Sequence, residues 1–230
     1  MNTMARKLRI TGPDSADIAE LGYWRDLAGI RSQNLAADIA GLTAAHSGGY
    51  LGCARGAGTR DNLQQMLRLE PNKWYLARSA MYVLKLDAES IGVITVGPPR
   101  RIWEKFAQEL DLACATSGQS EEETERSLAD FTSTMWPLAK ISLVAVRPNH
   151  QGQGHGTRLM RFTLDLLRRD NVDFIYGQYD AGRFDLAHFY SGLGFRNCAP
   201  GANLAISGTA LVLEGRPDEA FFAFERSAGG

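Results

Sequence analysis

One stretch constrains this chain more than any other: Ala139-Lys-Ile-Ser-Leu-Val-Ala-Val-Arg-Pro-Asn-His-Gln-Gly-Gln-Gly-His-Gly-Thr-Arg-Leu159. Its β-branched first part predicts a strand over 139–146, the glycines predict a loop over 147–156, and a helix is expected from Thr157 to about Arg169. In that helix Leu159, Met160, Thr163, Leu166 and Leu167 fall on one apolar stripe. A helix start carries free N–H groups and the positive end of the helix dipole, so it attracts phosphate. Gly152, Gly154 and Gly156 let the backbone approach such a ligand. No Lys follows as a phosphate-binding GxxxxGK[ST] loop requires, and the glycine spacing is not that of a dinucleotide GxGxxG turn. A tight strand-to-helix turn with no ligand is the other reading of the loop by itself.

Upstream, Leu8 to Thr11 reads as a short strand, Ser15 to Asp26 as a helix, and 27–46 as Ala- and Leu-rich helix. Five glycines between Gly48 and Gly58 preclude a regular helix and predict a loop, followed by a short helix over 59–69. Met81–Asp87 and Ser90–Val96 form a hairpin signal, closed by Gly97-Pro98-Pro99. Helices are expected over 100–115 and over 120–134, the second opened by Ser120 and Glu123 at capping-box spacing. A strand at 173–179, a helix at 185–193, and late strands at 204–214 and 221–224 complete the pattern.

The glycine loop has company. Val144-x-Val146-x-Pro148-x-x-Gln151-x-x-Gly154-x-Gly156 resembles the acetyl-CoA signature of the GCN5-related N-acetyltransferase (GNAT) superfamily. Further on, His188-Phe-Tyr-Ser-Gly-Leu-Gly-Phe195 is similar to that family's second hallmark, a helix ending F-Y-x-x-x-G-F. The resemblance covers 139–197 and extends to the hairpin at 81–97. It implies an α/β fold: a mixed, mostly antiparallel sheet with a splayed parallel strand pair, flanked by helices. The extra N-terminal and central helices would be this chain's additions, the central one an insertion at about 100–135. The whole of 1–230 is expected to be a single GNAT-like domain.

The resemblance also implies chemistry. Acetyl-CoA is the expected co-substrate, with no metal. Val144, Ala145 and Val146 would offer free backbone groups to the pantetheine arm. Gln151, Gly152, Gln153, Gly154, His155, Gly156, Thr157 and Arg158 would cradle the pyrophosphate. Tyr190 matches the tyrosine that protonates the departing thiolate. A helical Asn common in the family is missing from 181–187, where Asp185 is expected to cap the helix. No strong general base is legible: Lys140 and Ser142 are poor candidates, and Asp180, at the end of the fifth strand, is the catalytic candidate retained. His150 reads as a surface loop residue, His155 as facing phosphate or solvent, and His188 as turned away from Tyr190. His46 would border the acceptor side.

Charge bears on the partners. Between 140 and 170 six basic residues (Lys140, Arg147, Arg158, Arg161, Arg168, Arg169) stand against Asp165 and Asp170, a local excess that suits coenzyme phosphates. The whole chain has a net charge of −1, so nucleic acid is not an expected partner. Cys53, Cys114 and Cys198 are odd in number and widely spaced, which suggests neither a disulfide framework nor a zinc site. No apolar run reaches the length of a membrane span, so a cytoplasmic location is expected. The reading is an N-acetyltransferase acting on a small-molecule amine by direct attack in a ternary complex. Acetylation of a protein or aminoacyl-tRNA amine, and a non-catalytic acyl-CoA-binding module, remain the alternatives. Oligomeric state is open, with dimers common in the family.

Overall fold

The structure is a computed structural model that describes residues 7–30, 79–102, 137–207 and 211–226, together with Ala40, Thr209 and single positions between 104 and 135. Its elements in chain order are β1 (Leu8–Thr11), α1 (Ser15–Ala19), α2 (Leu21–Leu27), β2 (Ala80–Leu86), β3 (Glu89–Gly97) and β4 (Leu138–Val146). There follow α3 (His155–Arg169), β5 (Phe174–Asp180), α4 (Phe184–Ser191), β6 (Arg196–Asn197), β7 (Leu204–Ala205), β8 (Val212–Leu213) and β9 (Glu219–Glu225). The described positions 100–102, 104, 105, 108, 109, 122, 123, 126, 127, 130 and 135 are helical, as expected for the central insertion. The 48–58 glycine loop, the 59–69 helix, His46, Cys53 and Cys114 lie outside the described residues, as do all positions of 27–46 after Ile30 except Ala40.

A seven-stranded sheet runs in the order β1-β2-β3-β4-β5-β9-β6, and β7 pairs with β8 in a separate small hairpin. Every pairing in the large sheet is antiparallel except β4 with β5, which are parallel. This is the mixed sheet that the sequence motifs imply. The hairpin turns at Asp87-Ala88, with Asp87 at φ 57°. One face of the sheet packs on α3 through Leu159, Met160, Leu164 and Leu167. The other face is covered by Leu21 and Trp24 of α2, by Met135, and by Leu204 and Ile206.

Two expectations need correction. The helix expected over 15–26 is two helices, because Glu20 leaves helical geometry (φ −87°, ψ 3°) and sends its carboxylate to Arg147. The cap is Asp14, whose side chain accepts the Ala16 and Asp17 N–H groups while Asp17 accepts the Asp14 N–H. The strand expected over 204–214 is the short β7–β8 hairpin instead.

The splay between β4 and β5 has two local causes. Their pairing runs only from Leu138↔Phe174 to Ile141↔Gly177, while β3 pairs with β4 as far as Val146 and β9 pairs with β5 as far as Asp180. At the point of separation β4 carries an extra residue: Val96 faces Ile141 and Thr95 faces Leu143, which leaves Ser142 over. Such a bulge bends its strand. Gly177, opposite Phe222 of β9, marks the same point on β5. A Cβ there would lie 2.6 Å from Phe222 Cε1 and 2.8 Å from the Ile141 carbonyl oxygen.

The N-terminal segment is tied to the hairpin by charge. Lys85, buried in β2, bonds to the Asp14 carboxylate and lies 2.9 Å from Asp17, whose other oxygen accepts from Ser90. The Lys85 hydrogen bond is the largest of the effects holding Asp14 down at about 2, against an ordinary 3.8. A depressed carboxylate pKa stabilises the fold above the unfolded value and loses that effect as pH falls through the folded one.

Two stability predictions follow from these contacts. Gly177→Ala should cost about 3 kcal/mol by overpacking, read as a lower denaturant midpoint. Asp14→Asn keeps a capping oxygen but loses the charge. Since the Asp14 side chain is 56% exposed, the cost at neutral pH should be no more than about 1 kcal/mol. In thermal melts across pH, the gap to the unaltered protein should close as pH falls from about 4 toward 2.

Candidate active site

Beyond the splay, the edge of β4 from Ser142 to Val146 faces no strand on its β5 side among the described residues. Val144 is half-buried toward the α3 face, and Ala145 and Val146 are buried on opposite faces. Gln151 folds back so that its amide donates to the Val146 carbonyl oxygen at 2.9 Å. It anchors the loop to the strand end.

The glycine loop then enters α3. Gly152 (φ 73°) and Gly154 (φ 78°) adopt the left-handed conformation, and a Cβ on either would meet nothing within 4 Å. Gly154 is the helix N-cap. Arg158 N–H is the first to find a helical acceptor, the Gly154 carbonyl. The N–H groups from Gly152 to Thr157 have no protein acceptor among the described residues. They border an open depression of about 480 Å³, lined by Leu8, Gln153, Gly154, His155, Thr157, Arg158 and Arg161. Unpaired donors, Cβ-free space and two exposed guanidinium groups fit a pyrophosphate-bearing ligand.

Gly156 has a different reason to be glycine. A Cβ there would touch the Phe189 ring at 3.4 Å, so this position sets how closely α3 meets α4. The basic stretch also divides. Only Arg158 and Arg161 line the depression. Arg147 donates to the Ser90 carbonyl and Glu20, and its guanidinium lies 5.0 Å from both the Tyr23 and Trp24 rings. Arg168 pairs with Asp165 on the exposed face of α3. Lys140 lies on the sheet face away from α3, bonded to Gln178.

Tyr190 is 6% exposed and stacks on Phe222 with ring centroids 3.6 Å apart and planes at 10°. Phe189, Phe195 and Tyr179 complete its surround. Burial pushes its phenol well above the ordinary 10.0, with the neighbouring Tyr179 adding to the rise. The hydroxyl has no hydrogen-bond partner among the described residues, yet it is not sealed from solvent. Tyr179, two residues past Gly177 and half-buried, is a member of this site that the sequence reading missed. The Gly in the run Phe174-Ile-Tyr-Gly-Gln-Tyr179 is the signal that could have found it, since an interior strand glycine marks a close approach.

The other candidates disperse. Asp180 is exposed and accepts the Gly182 N–H at 2.8 Å, a turn-closing role. His150 is not a surface residue: it is buried, 3.7 Å from Glu89 and with its ring 6.1 Å from that of His155. Burial, with His150 and Arg158 beside it, lowers the His155 pKa. His188 is exposed and bonds to the Phe184 carbonyl, facing away from Tyr190 as expected. Asp185 does not cap α4; the N-cap is Arg183, which grips the Asp185 carboxylate through two hydrogen bonds. No cluster of His, Cys, Asp and Glu among the described residues could hold a metal ion. No helix among them is long and apolar enough to cross a membrane.

An acetyltransferase (GNAT) domain model matches residues 77–197, over half of the chain. No curated protein matches it. Among solved structures it is similar in fold to the ribosomal-protein-S18-alanine N-acetyltransferase from Escherichia coli, at 13% identity over 97% of each chain with a TM-score of 0.51. An acetyltransferase from Salmonella typhimurium, solved with its cofactor acetyl-CoA, is similar at 14% identity over 97% of this chain and 96% of that one, with a TM-score of 0.52. The match over the glycine loop and the tyrosine helix, on a sheet that opens between its two parallel strands, places the chain in the GNAT family, as an acetyltransferase that takes its acetyl group from acetyl-CoA.

Proposed function

We propose that this enzyme, one GNAT-like domain over 1–230, acetylates the primary amine of a small molecule by direct attack in a ternary complex. The observation that carries this reading is continuity. The unpaired edge of β4 leads into the donor-lined depression at the start of α3, and Tyr190 stands on the same face of the sheet. The glycine loop with Arg158 and Arg161 would hold the coenzyme's phosphates, and the Val144–Val146 edge would pair with the pantetheine amides. Backbone N–H groups there would also stabilise charge developing on the acyl oxygen.

The coenzyme supplies the acetyl group as a thioester, whose carbon the neutral amine attacks and whose sulfur departs as thiolate. A new N–C bond replaces the C–S bond, and the nitrogen releases its surplus proton to water. Tyr190 directs its phenol proton to the sulfur and is refilled from solvent. Burial raises the phenol pKa and also disfavours a thiolate beside it, so the donor stays protonated until charge appears. Asp180, occupied by its turn and exposed, is a weak claimant to the base role.

The acceptor side favours a small molecule. The face of the sheet away from α3 is covered by α2, Met135 and Leu204 with Ile206, which confines the approach. The Escherichia coli enzyme of similar fold acts on a ribosomal-protein alanine, so an acceptor panel should include a peptide with free N-terminal alanine. Acetylation of that peptide in preference to every small amine would overturn the small-molecule reading.

Tyr190→Phe should lower kcat about 100-fold with the KM for acetyl-CoA little changed. Because its folded pKa lies above 10.0, the unaltered enzyme should show no alkaline loss of kcat from this group at lower pH. A descending limb centred near pH 8 that Tyr190→Phe abolishes would contradict the buried-phenol account. Gly154→Ala forces a side chain into the left-handed region and into the open side of the loop. It should weaken acetyl-CoA binding about tenfold by calorimetry, the worth of one charge-assisted hydrogen bond, and lower the thermal midpoint through the strained backbone.

A further inference from the structure

The glycine loop offers a ligand mostly backbone groups, but one side chain in it can change its charge near neutral pH. His155, the first residue of α3, is half-buried and lines the depression of about 480 Å³ beside Arg158 and Arg161. Its ring nitrogens have neither a hydrogen-bond partner nor a carboxylate partner among the described residues. An imidazole so placed is free to give an N–H to whatever fills the depression.

The surroundings of His155 hold its charge back. Beside it stands His150, buried, with the two ring centroids 6.1 Å apart. His150 Nε2 lies 3.7 Å from Glu89 Oε1 at the start of β3, so the carboxylate of this corner meets His150 rather than His155. From α3 itself the charged side chains at the depression are Arg158 and Arg161, and from β1 the lining residue is Leu8, which is uncharged. Partial burial, then His150 and Arg158, lower the His155 pKa from its ordinary 6.5. Without a ligand the ring is therefore mainly neutral at neutral pH.

A pyrophosphate in the depression reverses that balance, because a nearby opposite charge favours the charged form of a group. The neutral ring has one N–H to give and no charge. The imidazolium donates through both nitrogens, and its hydrogen bond to a phosphate oxygen is charge-assisted. The bound state thus keeps a proton that the free state sheds.

We propose that the His155 side chain is a ligand for the coenzyme's phosphates that takes up a proton as the coenzyme binds, with His150 setting the pH at which it does so. This rests on the reading that the glycine loop holds those phosphates. His150 acts through His155 and is a positioning residue. Linkage fixes the sign: affinity rises as pH falls through the pKa of His155 in the complex, and levels off below its pKa in the free protein, which lies under 6.5.

The test is calorimetry of coenzyme A with the full chain from about pH 5.5 to about pH 8, in buffers of different ionisation enthalpy. The ligand's own 3′-phosphate titrates at about pH 6, so the unaltered protein is compared with His155→Gln, in which that contribution is unchanged. At neutral pH the unaltered protein should take up a fraction of a proton more than the variant. Its advantage in affinity should widen about tenfold between the alkaline and acidic ends of the range, the worth of one pH unit. His155→Lys, charged throughout, should keep the advantage at the alkaline end and take up no extra proton. His150→Gln should move the window of uptake to higher pH. NMR reads the same proton directly: of the chain's four histidines, the ring signal lost in His155→Gln belongs to His155. Its titration midpoint should rise by about one pH unit when coenzyme A saturates the protein. Equal uptake by the unaltered protein and His155→Gln, or a midpoint that coenzyme A does not raise, would overturn the proposal. So would an affinity lost equally at every pH in His155→Gln, the mark of a merely structural side chain. Failure of the loop reading shows separately, as a coenzyme A affinity that Gly154→Ala leaves untouched, and the proposal falls with it.

Discussion

Gly177 and Phe222 set the geometry on which the rest of the site depends. The two residues face each other across β5 and β9, and the missing side chain of Gly177 leaves the space that the Phe222 ring fills. Phe222, 1% exposed, then offers a flat platform on which Tyr190 stacks at 3.6 Å. The same glycine ends the pairing with β4. One small residue therefore both marks where the sheet opens and, through a single aromatic ring, determines where the phenol of α4 comes to rest beside the opening. Phe195 and Tyr179 hold the sandwich at its edges, so its position is over-determined by packing rather than by hydrogen bonds.

A second set of contacts joins the N-terminal helices to the glycine loop. Arg147 leaves β4 where the glycine loop begins, and its side chain bonds to the Ser90 carbonyl and to Glu20 while packing beside Tyr23 and Trp24. Ser90 is in turn bonded to Asp17, which pairs with Lys85. The cover over the sheet face away from α3 and the start of the glycine loop thus share one charged network. A cation at that point would have been assigned to phosphate by its sequence position alone. Its four partners show that it is committed to the fold.

The sequence carried the second half of the molecule well because its signals were local. A β-branched run, alternating glycines and an apolar stripe at helical spacing identify β4, the loop and α3 without reference to anything distant. Even there the reason for Gly156 was hidden, since it lies in the ring of Phe189, 33 residues on. What could not be read were features that need a partner. The break at Glu20 depends on Arg147, the approach of His150 to Glu89 on the hairpin, and the bulge at Ser142 on β3. Tyr179 and Gly177 escaped for the same cause: a glycine inside a strand announces a close neighbour, but only the register of β9 says which one.

The bulge at Ser142 also explains how β4 can bend away from β5 and still bury its apolar side chains. Up to Ile141, alternate residues of β4 put Leu138 and Lys140 on the face away from α3, and Ala139 and Ile141 toward it. The extra residue resets that alternation, so Leu143 and Ala145 continue the first face, and Val144 and Val146 the second. Apolar side chains therefore stay in both cores past the opening, although the strand has been bent away from β5. The backbone edge freed by the bend is a neutral donor and acceptor surface. The charged groups flank it on opposite faces, Arg158 and Arg161 at the far end of one and Lys140 at the near end of the other.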